Sequence, residues 1–195
     1  MIILYGGSFN PPTIAHFEIS KYLINKYQPH RFIFIPVGNN YNKANLIPFI
    51  YRYQMLQILA SKLNNTVVSE YENKENFEGT IQTLNHFQSI FKDEPLFYVI
   101  GADNLLSITK WINYQTLLSS FKFIVLNRDG LDIKDIFERN DGLNKFKNSF
   151  IIENDFKQMN LSSSQYRNLT SDAVVLNEIN DYIYKHQLYT RGEKV

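Results

Sequence analysis

Cysteine is absent from the 195-residue sequence, and histidine is scarce. Without cysteine the chain can form no disulfide, no thiolate nucleophile and no Cys-based zinc or iron–sulfur site. Its four histidines are His16, His30, His86 and His186, and no two of them have HExxH spacing. We therefore predict no metal held by a cluster of histidines.

Long apolar runs and a surplus of one charge are missing as well. No apolar stretch approaches the roughly 18–20 residues of a membrane-spanning helix, and the first residues lack the basic and apolar regions of a signal peptide. Lysine and arginine number 20 against 19 aspartates and glutamates, so the net charge is only +1. We expect a cytoplasmic protein with no nucleic-acid or membrane partner.

The composition is that of a globular chain with a sizeable core. Hydrophobic residues make up 44% of the sequence, and the mass is 23.0 kDa. This length corresponds to one domain, so we predict a single domain over residues 1–195. No internal repeat, low-complexity run or linker interrupts the sequence.

Short apolar runs alternate with segments that have a helical stripe. The predicted strands are Ile2–Tyr5, Phe32–Ile35, Thr66–Ser69, Leu96–Ile100, Phe121–Leu126 and Phe150–Ile152. The predicted helices are Thr13–Tyr27, Phe49–Leu63, Thr80–Phe91, a short helical region from Leu105 to Leu118, Ser162–Leu169 and Leu176–Tyr184. Alternation of this kind predicts an α/β fold with a doubly wound, Rossmann-like parallel sheet of about five or six strands and C-terminal helices. Ligands of such folds bind beyond the carboxyl ends of the strands.

One candidate site segment lies between the first strand and the first helix. Gly6 and Gly7 let backbone amides approach an anion closely, and the following helix N-terminus favours phosphate. Thr13 and His16 are three residues apart in the first turn of that helix, so they share a face. The alternative is a tight glycine turn beside an ordinary surface histidine.

A second candidate segment, Leu161–Arg167, has three consecutive serines before a helix. Serine is a good helix N-cap, and capping alone would account for the pattern. The other interpretation places the hydroxyls of Ser162, Ser163 and Ser164 around a polyphosphate. Arg167, one helical turn further on, would then donate two parallel hydrogen bonds from its guanidinium to phosphate oxygens.

Together these segments resemble the two motifs of the HxGH-class nucleotidyltransferases, and most closely those of bacterial nicotinate-nucleotide adenylyltransferases. The motif Gly-x-Phe-x-Pro-x-His/Thr-x-Gly-His aligns with residues 7–16, and Ile-Ser-Ser-Thr-x-x-Arg aligns with residues 161–167. Thr13 stands at the first histidine of the motif, and Ala15 replaces the usual glycine. The resemblance continues to the closing segment Tyr182–Tyr189 and so covers nearly the whole chain.

The middle of the chain resembles the same family in its substrate-binding segments. The resemblance implies that Asp103 binds the ATP ribose and that Trp111, the only tryptophan, stacks on a pyridine ring. It also implies that Thr80, with the Ile112 amide, holds the nicotinate carboxylate. Without the motif, Trp111 would be interpreted as a core residue.

Two further positions carry a weaker likeness. Lys43 is expected to meet phosphate, although Asn42 stands where the family has histidine. Arg128 follows the fifth predicted strand and could contact the nucleotide. Arg52 lies on the apolar stripe of its helix, where a structural ion pair is the expected role.

The resemblance implies adenylyl transfer from ATP to nicotinate mononucleotide, which gives deamido-NAD and pyrophosphate. The expected ATP-binding residues are Gly6, Gly7, Ser8, Phe9, Asp103, Ser162, Ser163 and Ser164. His16, Thr13 and Arg167 are the expected catalytic residues, and Mg2+ would bind through the ATP phosphates. The alternatives are a phosphopantetheine adenylyltransferase, a cytidylyltransferase, or a nucleotide-sensing module without activity, to which Ala15 and Asn42 would point.

Overall fold

Parallel strands form one sheet in the computed structural model, which describes residues 1–41, 43–127, 130–156, 161–168 and 172–189. The described strands are β1 (Ile2–Gly7), β2 (Arg31–Pro36), β3 (Thr66–Val68), β4 (Leu96–Gly101), β5 (Lys122–Leu126) and β6 (Phe150–Glu153). Their order is β3-β2-β1-β4-β5-β6, and every neighbouring pair is parallel. The predicted Rossmann-like fold is confirmed.

Helices connect the strands. The described α-helices are α1 (Ile14–Tyr27), α2 (Phe49–Ala60), α3 (Thr80–Ile90), α4 (Tyr114–Ser120), α5 (Ile133–Glu138), α6 (Asp141–Asn144), α7 (Ser163–Arg167) and α8 (Asn177–Lys185). Short 3₁₀ segments cover Ala102–Leu106, Ile108–Lys110, Lys147–Ser149 and Asp172–Val174. In the described ranges, no helix is long and apolar enough to cross a membrane.

The region predicted as helical from Leu105 to Leu118 is broken. Its first half is the two 3₁₀ segments, and only α4 is a regular helix. Trp111 has an extended backbone and Asn113 is left-handed, with φ 52°, so no continuous helix can pass through them. The break exposes Trp111 at the carboxyl edge of the sheet. Residues 127–148, to which the sequence pattern assigned no helix or strand, contain α5 and α6.

Both faces of the sheet are buried. Along β1, Ile2 and Leu4 pack into the cluster beneath α3 and α4, whereas Ile3 and Tyr5 pack into the cluster beneath α1, α2 and α8. A strand that is buried on both faces has a continuous run of apolar residues. These strands could therefore be recognised in the sequence.

The strand order reverses beside β1. The chain passes from β1 to β2 and β3 on one side, then crosses back so that β4 lies on the other side of β1. The helices that leave β1 and β4 therefore diverge, and a crevice opens beyond the carboxyl ends of these two strands. The candidate site lies at this crevice.

Candidate active site

The segment from Gly6 to Thr13, here called the phosphate loop, is held in a fixed conformation. A Cβ on Gly6 would lie 1.8 Å from the Tyr98 hydroxyl oxygen, so only glycine fits against β4 there. Phe9 is buried with φ 45°, a left-handed conformation rarely adopted by aromatic residues. Its ring packs edge-on against His16, with 5.1 Å between centroids.

Thr13 and His16 form the capping box of α1. Thr13 is the N-cap, and its backbone N–H donates to His16 Nδ1 over 2.9 Å. The Thr13 hydroxyl oxygen lies 2.8 Å from the same nitrogen. Because Nδ1 accepts a hydrogen bond, the neutral ring carries its proton on Nε2. Thr13 therefore fixes both the orientation and the tautomer of His16.

Helix α7 docks onto the phosphate loop and brings the two sequence motifs together. Ser163 Oγ donates to the Pro11 carbonyl over 2.8 Å. Arg167 Nη1 donates to the Asn10 carbonyl over 2.6 Å, and its Nη2 lies 3.1 Å from Ser164 Oγ. The hydroxyl of Ser162 accepts from the Gln165 N–H, so the capping interpretation holds for this serine.

Lys43 joins this cluster from the loop after β2. Its Nζ donates to Ser8 Oγ over 3.0 Å. Burial lowers the pKa of Lys43, and repulsion from the Arg167 guanidinium lowers it further. Neither cation forms an ion pair with a carboxylate in the described ranges. Two neighbouring cations beside glycine amides favour a polyanion such as a phosphate chain.

A cavity of about 480 Å³ extends from the phosphate loop across the crevice. Its wall includes Gly6, Gly7, Ser8, Lys43, Thr80, Trp111 and Ile112, all of them predicted site residues. Trp111 also packs against the core cluster under α3 and α4. One part of the indole therefore packs against the core, and another part lines the cavity. The size is in the range of small-molecule sites.

The remaining predicted residues lie outside the cavity wall. These are His16, Thr13, Phe9, Asp103, Arg167 and Ser162 to Ser164. Asp103 is exposed, and its carboxylate is 3.5 Å from the amide nitrogen of Asn104, which does line the cavity. A nucleotide that met all of these residues would extend from the cavity over the phosphate loop.

Arg52 has a structural role, but the predicted ion pair is wrong. The side chain is fully buried, and it donates to the carbonyls of Ile47 over 2.9 Å and Ser8 over 3.1 Å. Nη2 has no hydrogen-bond partner in the described ranges, and burial lowers the pKa of Arg52 to about 10. Arg52 thus ties α2 to the phosphate loop through carbonyl groups.

Arg128, with its predicted nucleotide contact, and Asn42, which stands where the family has histidine, lie outside the described residues. The side chain of Asn127, the residue before Arg128, forms hydrogen bonds with nearby groups of the protein. Its amide donates to the Leu131 carbonyl over 3.0 Å and to Asn154 Oδ1 over 3.1 Å.

Sequence reasoning missed several residues of the cavity wall, among them Glu72 and Tyr98. Glu72 lies in a polar segment that gave no sign of burial, yet only 4% of it is exposed. Burial raises the pKa of Glu72 to about 7. The hydrogen bond that it accepts from Thr83 lowers the pKa, but by less than burial raises it. Tyr98 is a β4 residue whose hydroxyl lies against Gly6, and burial raises its pKa.

Glu72 gives a testable dependence of stability on pH. Its pKa is higher in the folded state than the ordinary 4.5, so between about pH 4.5 and 7 the folded protein holds the extra proton. Stability therefore falls as the pH rises through this window. Glu72→Gln removes the cost of burying the charge and keeps an acceptor for Thr83.

We expect Glu72→Gln to stabilise the protein at about pH 8 by roughly 1–3 kcal/mol more than at about pH 5. Thermal melts of both proteins at the two pH values measure this difference. An exposed glutamate of the same segment, changed in Glu75→Gln, is the control. Equal shifts of the melting temperature at both pH values would contradict the buried, titrating carboxyl.

Glycine amides and two cations beside an aromatic cavity, in one Rossmann-like crevice, fit a ligand that carries phosphate groups, as in a nucleotidyltransferase. The chain belongs to the cytidylyltransferase-like family, whose model matches residues 4–169.

Within this family the chain is similar to proteins that carry the name "Probable nicotinate-nucleotide adenylyltransferase". The Acholeplasma laidlawii protein is 34% identical over 97% of this chain and 97% of its own length. The Fusobacterium nucleatum protein is 36% identical over 86% of each. A solved structure of Plasmodium falciparum nicotinic acid mononucleotide adenylyltransferase complexed with NaAD has a TM-score of 0.79 and 21% identity over 96% of each chain. The similarity to this solved structure shows a shared fold.

Proposed function

We propose that this protein transfers the adenylyl group of ATP to nicotinate mononucleotide and releases pyrophosphate, as a step of NAD biosynthesis. The named relatives support the reaction, since they are similar over nearly all of this chain. The observation that carries the assignment to this site is the docking of α7 on the phosphate loop. It brings the hydroxyl and cationic side chains proposed to bind polyphosphate next to a cavity lined by Trp111 and Thr80.

The chemistry follows from this arrangement. A phosphate oxygen of nicotinate mononucleotide attacks the α-phosphorus of ATP, and the bond from that phosphorus to the bridging α–β oxygen breaks. Pyrophosphate leaves with the bonding electrons. Gly6, Gly7 and the backbone of Ser8 and Phe9 would cradle the α-phosphate. Such a transfer needs positioning and charge stabilisation rather than a covalent intermediate.

The side chains around the loop would act on the charge that develops during the transfer. His16, oriented by Thr13, would donate from Nε2 to a phosphate oxygen. Arg167, with the hydroxyls of Ser162 and Ser164 and the backbone N–H of Ser163, would hold the departing pyrophosphate, and Lys43 would meet the acceptor phosphate. Preorganised donors of this kind stabilise the transition state more than the ground state.

At the other part of the site, Trp111 would stack on the pyridine ring of the acceptor. The Thr80 hydroxyl and the Ile112 amide would bind its carboxylate. Asp103 would accept hydrogen bonds from the ATP ribose hydroxyls, since it follows the carboxyl end of β4.

Magnesium would enter this site on the ATP phosphates, where it neutralises charge during phosphoryl-type transfer. In the described ranges, no three metal-ligating side chains cluster. The donor set around the loop is cationic and hydroxylic, which fits phosphates that bring their own ion. The chain's part is to bind and orient those phosphates. The cytoplasmic location expected from the sequence stays a prediction.

Pyrophosphate release tests the proposed acceptor. Mg-ATP is supplied with nicotinate mononucleotide, nicotinamide mononucleotide or phosphopantetheine in turn. We expect turnover with the pyridine nucleotides and none with phosphopantetheine, because a flat ring suits the wall at Trp111. Turnover with phosphopantetheine alone would overturn the acceptor assignment. If ATP binds but no acceptor supports pyrophosphate release, a nucleotide-sensing module without activity is favoured.

Trp111 supplies a second test on the acceptor side. Stacking of a base on an aromatic side chain contributes about 1–3 kcal/mol, so Trp111→Ala should raise the acceptor KM by roughly 5- to 150-fold. The KM for ATP should change little, and Trp111→Phe should retain most of the affinity. An unchanged acceptor KM in Trp111→Ala would show that the indole is only a core residue. Quenching of the single tryptophan by acceptor gives an independent readout in the wild type.

A further inference from the structure

The cavity contains a carboxyl group that the adenylyl transfer does not use. Glu72 lines the cavity with 4% of its surface exposed. One of its oxygens accepts a hydrogen bond from Thr83 Oγ1 over 2.7 Å. It takes part in no ion pair in the described ranges. A buried carboxyl at the wall of a ligand cavity, held by a single hydroxyl, keeps hydrogen-bonding capacity for a ligand.

Glu72 lies beside the residues proposed to bind the pyridine substituent. Thr83 and Thr80 are three residues apart on α3 and share a helix face. Burial raises the pKa of the Tyr98 hydroxyl, the nearby charge of Glu72 raises it further, and a hydrogen bond with the Thr80 side chain lowers it. Thr80, Tyr98 and Glu72 therefore converge on one part of the cavity.

The backbone holds Glu72 in this place. A Cβ on Gly38 would lie 2.2 Å from the Glu72 carbonyl oxygen, so the segment packs tightly on the loop after β2. The side chain cannot move away without loss of the Thr83 hydrogen bond. A group that enters the cavity next to Thr80 therefore enters a cavity that Glu72 also lines.

Charged and titratable groups lie next to Glu72 or line the same cavity. They are Lys74 on its own segment, Tyr98 on β4, Tyr5 on β1, Tyr41 and Lys43 on the loop after β2, Lys110 on a 3₁₀ segment, and Tyr71, whose ring stacks on His86 of α3. Lys74 lowers the pKa of Glu72, but burial dominates and raises it to about 7. Both protonation states of this carboxyl are thus accessible near neutral pH.

We propose that Glu72 is a specificity-determining residue that distinguishes a carboxylate from a carboxamide on the pyridine ring of the acceptor. This inference rests on the proposed function. The protonated Glu72 donates its O–H to the carboxylate of nicotinate mononucleotide. The ionised Glu72 repels that carboxylate. It accepts a hydrogen bond from an N–H of the carboxamide of nicotinamide mononucleotide.

This assignment makes acceptor choice depend on pH. Binding of the acid keeps or takes up a proton at Glu72, whereas binding of the amide releases it. The ratio of kcat/KM for the acid to kcat/KM for the amide should fall as the pH rises above about 7, by as much as roughly tenfold per pH unit. The phosphate is common to both acceptors, so its own titration cancels in the ratio.

The test measures kcat/KM for both acceptors from about pH 6 to 8.5 in the wild type, in Glu72→Gln and in Glu75→Gln. The wild type and the Glu75→Gln control should show the falling ratio. Glu72→Gln has an amide that donates at every pH, so its ratio should be constant and its use of the acid should persist at high pH. A constant ratio in the wild type, or the same fall in Glu72→Gln, would overturn the inference.

Calorimetry of acceptor binding supplies a second test that needs no variant. Titrations of the wild type in two buffers with different heats of ionisation give the protons bound with each acceptor. At about pH 7.5, nicotinate mononucleotide should take up a larger fraction of a proton than nicotinamide mononucleotide. Equal proton numbers would overturn the inference and leave the proposed function standing. Absence of both binding and turnover for either acceptor would instead overturn the proposed function itself.

Discussion

His16→Ala should lower kcat by about 10²–10³-fold while the protein still folds and binds ATP. The physical reason is the fixed imidazole. Its Nδ1 accepts the Thr13 N–H over 2.9 Å, so Nε2 keeps its proton and its direction before substrate arrives. A preorganised donor costs no reorganisation at the moment of reaction, and its removal therefore acts on the transition state.

Steady-state kinetics with ATP and acceptor measure this loss, and thermal melting checks the fold. The matched control is His30→Ala, because His30 is exposed, pairs with Glu94 and lies next to the start of β2 at the opposite edge of the sheet. The control should keep wild-type kcat. Near-normal turnover in a folded His16→Ala variant would remove His16 from the catalytic residues.

Arg167→Ala is expected to lower kcat/KM for ATP by about 10²–10³-fold. The guanidinium joins Asn10 of the phosphate loop to Ser164 of α7, so it positions the loop and lies where the polyphosphate is proposed to bind. Arg167→Lys keeps the charge but cannot hold both partners in a planar fork, and its loss should be intermediate. The pKa of Lys43 should rise in Arg167→Ala, since a neighbouring positive charge is gone.

Kinetics at varied ATP concentrations test this prediction, with Arg139→Ala as the control. Arg139 is exposed and pairs with Asp135 on α5, far from any residue of the phosphate loop in sequence. Its substitution should leave kcat/KM unchanged. If Arg167→Ala and Arg139→Ala behaved alike, α7 would have only a structural role.

The sheet could be predicted because its strands are buried on both faces. A run such as Ile2–Tyr5 can be recognised from its apolar residues and the glycines that end it, and the order of strands and helices then implies parallel pairing. The break at Asn113 could not be predicted, since a left-handed asparagine depends on its tertiary surroundings.

For the site, the resemblance to family motifs supplied the pairing of the phosphate loop with α7. Their contact spans 157 residues between Asn10 and Arg167, and no local pattern carries such a distance. Arg52 and Glu72 show what remains beyond the sequence. The burial of a charge, and whether its partner is a carboxylate, a carbonyl or a hydroxyl, is decided only when α2 and α3 pack against the sheet.

The fate of the α-phosphorus of ATP distinguishes adenylyl transfer from every other reaction of ATP at this site. ATP labelled at that position is incubated with nicotinate mononucleotide and magnesium, and the products are separated. We expect the label to enter the dinucleotide, deamido-NAD, with one pyrophosphate released for each dinucleotide formed. Label found only in AMP, or a product formed without pyrophosphate, would contradict adenylyl transfer at this site.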